Sequence, residues 1–204
     1  TTQVAKDSLF AVRGDFRELL AGIVKTGHPA EKLLALQMAV EGDRVSGDDA
    51  AQLAELALDV GLHTSASDTG SRASLRAMRV LAAKTLRDRS WQKASPLLIE
   101  HLDMTIMEAD RGLDDKGALL EAIASLGTIG THEAAVRLTQ YLVLLNSYME
   151  SGKGYDEQVM GALIESLGQL EDKVAFDDLV YTQYLGYSSS IRTAARAALD
   201  RLRW

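Results

Sequence analysis

Met107-Glu108-Ala109-Asp110-Arg111-Gly112-Leu113-Asp114-Asp115 returns forty-two residues later as Met149-Glu150-Ser151-Gly152-Lys153-Gly154-Tyr155-Asp156-Glu157. Two more blocks follow in the same order. Ile123-Ala124-Ser125-Leu126-Gly127 matches Ile164-Glu165-Ser166-Leu167-Gly168, and Thr139-Gln140-Tyr141-Leu142 matches Thr182-Gln183-Tyr184-Leu185. Going backwards, Gly112 is preceded at nearly the same interval by Gly70 and then by Gly27, so the period of about 42 residues extends over most of the chain. A fixed period in this range is the signature of stacked supersecondary units, each too small to bury its apolar face alone.

Each unit reads as two helices. Leu119, Leu120, Ile123 and Leu126 recur at three- and four-residue spacing, an apolar helical stripe rather than strand alternation. Asp114 and Asp156 precede the first helices, where a carboxylate accepts the free N–H groups of the opening turn. Gly127 and Gly168 are expected to stop those helices, and Gly112 and Gly154 to close the second ones. Pro29 suits a first helical position. The pattern predicts helices near 5–26, 30–44, 47–61, 71–88, 91–110, 114–127, 132–151, 156–169, 174–186 and 189–203. The last carries a charged outer side that suits a terminal cap, with Trp204 folding back onto the final seam.

The paired helices, the Leu-Gly turns and the Ile191–Leu202 segment resemble HEAT or armadillo repeats, over nearly the whole chain and best from Gly112 onward. That resemblance implies an all-α, right-handed α-α superhelix of about five helix pairs, a single domain over 1–204. Its repeats would start near 28, 70, 112 and 154, with a capping helix near 189–203. It also implies a concave surface lined by second helices, commonly used to hold another macromolecule, and implies no reaction. The chain departs from the usual pattern in its scarcity of proline and its long second helices.

Composition agrees with a helical stack and removes several chemistries. The 204 residues contain no cysteine, which excludes disulfides, zinc–thiolate sites and a thiol nucleophile. No apolar run is long enough for a membrane span. The net charge of −7 is unevenly distributed: residues 71–93 hold 7 Lys/Arg against 1 Asp/Glu, and residues 94–189 hold 5 against 16. The lack of cysteine fits an oxidising compartment or a small bacterial protein. A start at Thr1 rather than Met fits an exported chain with a removed leader.

Catalytic constellations fail on context. The di-iron hydroxylases of HEAT architecture carry several His-Glu dipeptides, whereas this chain has His132-Glu133 and a reversed Glu100-His101. His132 reads as the polar start of a helix and His101 as a half-buried tip. The HEAT-like alkylpurine glycosylases need a basic concave track and an Asp set between aromatic rings, and Trp91 and Trp204 lie far apart. Ser90-Trp91-Gln92-Lys93 and Lys25-Thr26-Gly27 match fragments of serine acyltransferase motifs in the wrong order and on helices. The pairs Asp48-Asp49, Asp114-Asp115 and Asp177-Asp178 stand at helix starts, where the dipole favours them. No nucleophile, base and orienting group come together, so the expectation is a non-enzyme with no cofactor and no metal.

What remains is binding. All six tyrosines lie between 141 and 187, within the acidic stretch. Tyr141 and Tyr148 are seven residues apart, and Tyr181 and Tyr184 three, so each pair shares a helix side. Tyrosine offers a stiff ring with a polar tip, and interfaces are enriched in it. The reading is therefore a non-catalytic interaction scaffold presenting Tyr141, Tyr148, Tyr181 and Tyr184 on its second helices to a protein or peptide partner of basic character. The alternative is a nucleic-acid or anionic-surface binder acting through 72–93, with Arg72, Arg76 and Arg79 on one side of a helix. For the basic stretch the bland reading is a solvated face paired with acidic neighbouring repeats.

Overall fold

The computed structural model describes residues 16–42, 45–113 and 116–203. Among them are ten α-helices, two 3-10 turns and no strand: α1 Phe16–Thr26, α2 Pro29–Glu41, α3 Gly47–His63, α4 Thr69–Asp88, α5 Ser95–Asp110, α6 Lys116–Ile129, α7 His132–Glu150, α8 Glu157–Leu170, α9 Phe176–Thr182 and α10 Ser189–Leu199. The 3-10 turns, Gln92–Ala94 and Lys173–Ala175, lead into α5 and α9. Every helix expected from the periodicity has a counterpart. Of the first, only the part from Phe16 lies within the described residues, and the expected cap at Asp114 and the position of Trp204 lie outside them.

The helix starts are built as the sequence requires. Ser46, Thr131, Asp156 and Ser188 each accept a backbone N–H of the following turn through the side chain. Pro29 opens α2, where its missing N–H is no loss.

The chain divides into two compact units, Thr1–Thr85 and Leu86–Trp204, with the boundary inside α4. In the first unit α1 packs on α2 and α3, and α2 on α3. Leu20, Leu36, Leu58 and Met78 are fully buried there. In the second unit α6, α8 and α10 neighbour one another in series, while α5, α7 and α9 form a second series alongside. Leu98, Leu102, Ile123, Leu126, Leu138 and Leu142 are fully buried in this unit. Each such side chain contributes about 1.5–3 kcal/mol on leaving water.

Three details depart from the sequence expectation. Gly127 and Gly168 do not end their helices. They lie two residues inside α6 and α8, where a Cβ on Gly127 would come within 2.6 Å of the Ser166 side chain, and one on Gly168 within 3.1 Å of Ala198. These glycines are close-approach points between successive first helices; α6 ends at Gly130 with φ +74 instead, and α8 at Glu171 with φ 55.

Gly152, not Gly154, closes α7. It has φ +73, and Lys153 N donates to Tyr148 O at 2.9 Å. Gly112 closes α5 in the same way, with φ +65 and Leu113 N donating to Glu108 O at 2.9 Å. Both are the left-handed turn that glycine adopts without steric cost. The structural offset there is 40 residues, two fewer than the letter match.

Helix α9 stops at Thr182 rather than running to 186. The chain turns at once, and Tyr187 comes down into the interior against Tyr155, ring centroids 4.8 Å apart and nearly perpendicular. The second helices are thus not uniformly long: α7 has 19 residues and α9 only 7.

Candidate partner-binding face

The series α5, α7 and α9 positions the candidate face. Helix α5 buries Leu98, His101, Leu102 and Thr105 and exposes Pro96, Glu100, Asp103, Met107 and Asp110, a stripe at alternating spacings of four and three. Helix α7 buries Ala134, Ala135, Leu138, Tyr141, Leu142 and Asn146. Its opposite side carries Gln140, Val143, Leu144, Ser147 and Glu150, all exposed. Short α9 buries Leu179 and Thr182 and exposes Asp177 and Tyr181.

Two side-chain contacts join these stripes. The Arg137 guanidinium donates to Asp103 Oδ1 at 2.6 Å, linking α7 to α5. The Tyr181 hydroxyl donates to Glu150, linking α9 to α7, and this bond raises the phenol above its ordinary pKa. Burial pushes the Asp178 carboxyl up, with the neighbouring Asp177 charge adding to it.

Between these polar links the face is apolar. Met107 is 44% exposed, Val143 46%, Leu144 38% and Tyr181 41%. The same three helices expose Glu100, Asp103, Asp110, Glu150 and Asp177, with Arg137 paired to Asp103 and Arg111 exposed just past the end of α5. The face therefore combines exposed hydrocarbon with a negative field, which speeds the approach of cations.

The four tyrosines expected here do not converge. Tyr141 is only 7% exposed and belongs to the interior, where burial pushes its phenol up to about 12. It is not part of an exposed face, because α7 turns that side toward its neighbours. Tyr148, on the same side of the helix, is half-buried, with the Lys153 ammonium 4.1 Å from its ring centre. Tyr181 remains on the face. Tyr184 is the most exposed of the four but sits past the end of α9, in the turn toward α10. Met107, Val143 and Leu144, exposed on the same helices, are not aromatic, and the clustering of tyrosines does not point to them. Their signal was a hydrophobic residue in the middle of an otherwise polar helical stripe, as in Gln140, Val143, Ser147 and Glu150.

The arginine stripe of α4 is also incomplete. Arg72 is exposed and donates to Ser67 O at 2.9 Å, whereas Arg79 is buried and reaches Gly61 O at 3.4 Å. Arg79 is thus an interior residue of the first unit and offers nothing to an anionic surface. Further along the basic stretch, Arg87 pairs with Glu121 at 2.8 Å, the neighbour-neutralising role.

Among the described residues no three His, Asp or Glu side chains gather where a metal ion could sit. His132 opens α7 and pairs with Asp172 at 2.6 Å. His101 is fully buried at 1% exposure, not half-exposed, because it lies on the inner stripe of α5. No described helix is long and apolar enough to cross a membrane. In comparisons with known proteins, no family model matches the chain and no curated protein is significantly similar to it.

Proposed function

We propose that the chain is a non-catalytic binding module of HEAT-like build, whose second unit holds a basic, amphipathic protein segment across α5, α7 and α9. The superhelical stack rests on the two parallel series of helix neighbours, α6–α8–α10 and α5–α7–α9, on the repeated glycine contacts, and on cross-repeat ion pairs such as Lys116–Asp156 at 2.6 Å. One observation carries the function: Met107, Val143, Leu144 and Tyr181 stand exposed on successive second helices that also expose Glu100, Asp103, Asp110, Glu150 and Asp177. Covering four half-exposed apolar side chains yields about 1 kcal/mol each, too little for tight binding alone. Attraction between the carboxylates and lysine or arginine on the partner supplies the remainder and makes complex formation sensitive to salt.

Panning a displayed library of random 15-residue peptides against the full chain tests this reading. Retained clones are expected to combine Lys or Arg with apolar residues at helical spacing, and to be lost on a Val143→Glu/Leu144→Glu variant. Clones of random composition, or equal retention by that variant, would refute it.

A further inference from the structure

We propose that the cleft between the α9–α10 turn and α10 binds a phosphate monoester carried by a small, planar molecule of mononucleotide size. Gln183, Tyr184, Ser189, Arg192, Thr193 and Arg196 line it, around a volume of about 440 Å3. That is the size range of small-ligand sites. No carboxylate is part of the lining.

The charge arrangement is what calls for a ligand. Residues 190–204 contain four arginines and one aspartate. Two of these arginines are neutralised from the α8 side, Arg201 by Glu165 at 2.8 Å and Arg203 by Glu171. Arg192 and Arg196 have no ion-pair partner among the described residues, and Asp200, four residues beyond Arg196, does not pair with it. Elsewhere in the second unit Arg87 and Arg137 are also paired. Arg192 and Arg196 lie at i and i+4 on one side of α10, a spacing at which like charges repel. An anion seated between them removes that repulsion.

The chemistry selects phosphate. Each guanidinium presents a planar fork of N–H donors that matches the oxygens of a phosphoryl group two at a time. Ser189 and Thr193 add hydroxyl donors from the same helix, and Gln183 an amide from the turn. Tyr184 lines the cleft and is 82% exposed, leaving its flat ring free for a base-sized carrier to stack on. The cleft shares no lining residue with the exposed residues of the α5–α7–α9 face, and neither proposal depends on the other.

Calorimetric titration of the full chain with inorganic phosphate, AMP and a phosphoserine peptide, at ~50 mM NaCl to limit screening, tests it. The expected result is saturable binding of phosphate and tighter binding of AMP. Arg192→Ala/Arg196→Ala should weaken both about tenfold or more. Tyr184→Ala should weaken AMP alone. The substituted side chains are exposed, so unchanged circular dichroism is expected to accompany the loss. Absence of saturable heat with any probe, or undiminished binding by the arginine variant, overturns the site; tighter binding of the phosphoserine peptide than of AMP overturns the small-molecule carrier.

Discussion

Tyr187 donates its phenol hydrogen to Oδ1 of Asn146 at 3.1 Å, joining the α9–α10 connection to the C-terminal part of α7. Both residues are buried, Asn146 at 2% exposure and Tyr187 at 3%. The Asn146 amide in turn donates to the Thr182 hydroxyl at 3.2 Å, and Thr182 donates to Asp178 O at 2.8 Å. One asparagine thus fixes where α9 ends and how the chain returns.

Replacing it should be severe. Asn146→Ala leaves the Tyr187 hydroxyl without its acceptor in the interior and should cost about 2–3 kcal/mol, whereas Tyr187→Phe removes one bond and should cost about 1 kcal/mol. Urea unfolding of the two single variants and the double variant checks this. In the Tyr187→Phe background the asparagine substitution should cost less, because the phenol it would strand is already gone.

Two glycine-to-alanine substitutions should have opposite signs. In α1, a Cβ on Gly22 meets nothing within 4 Å. Gly22→Ala should therefore stabilise by about 0.5–1 kcal/mol through helix propensity and reduced unfolded-state freedom. On Gly127 the new Cβ would lie 2.6 Å from Ser166 Cβ and 2.9 Å from its Cα. Backbone cannot give way as a flexible side chain does, so overpacking of about 1–3 kcal/mol should outweigh the same propensity gain. Equal gains at both positions in chemical denaturation would show that α6 and α8 are not in close contact.

The His132–Asp172 pair makes stability depend on pH. The Asp172 carboxylate, by hydrogen bond and charge, raises His132 above its usual 6.5. For Asp172, burial acts upward, but bonds from Val174 N and His132 together hold it below 3.8. The histidine contribution is complete below the ordinary imidazole value and disappears as pH rises through the raised one. The aspartate contribution is present above the ordinary carboxylate value and disappears in acid. His132→Gln should therefore lower the unfolding midpoint between roughly pH 4 and 6.5 and leave it unchanged on the alkaline side of the raised value. A midpoint difference that persists at pH 9 would rule out the charge explanation.

The tyrosines should separate in the same assay. Tyr141→Ala should destabilise by about 3–5 kcal/mol, as for other large buried rings, and Tyr184→Ser should stay within about 0.5 kcal/mol. Burial also pushes the Tyr141 and Tyr187 phenols up to about 12, against 10 when exposed. Stability should consequently fall as pH rises from 10 toward 12, where the unfolded chain ionises first. Ultraviolet titration of phenolate absorbance should show two groups appearing only at that upper limit.

Sequence alone determined the all-helical class, the ten helices and a few of their ends (Pro29, Asp156 and Gly112), because 3.6-residue periodicity and cap residues act within one or two turns of chain. Asp156 and Pro29 could be assigned in this way without reference to any distant residue. What each repeated residue does once the helices meet was decided by tertiary packing. The Gly127 and Gly168 letters are the same for a helix stop and for a close approach, and only the presence of Ser166 and Ala198 opposite them distinguishes the two. Likewise Tyr141, Tyr184, Arg79 and Arg192 are indistinguishable by composition, and burial sorted them: Tyr141 and Arg79 into the interior, Tyr184 and Arg192 to the cleft. The exposed character of Val143 and Leu144 is a property of the rotation of α7 between its neighbours. That rotation is set by the summed packing of residues far apart in the chain, which no local pattern encodes.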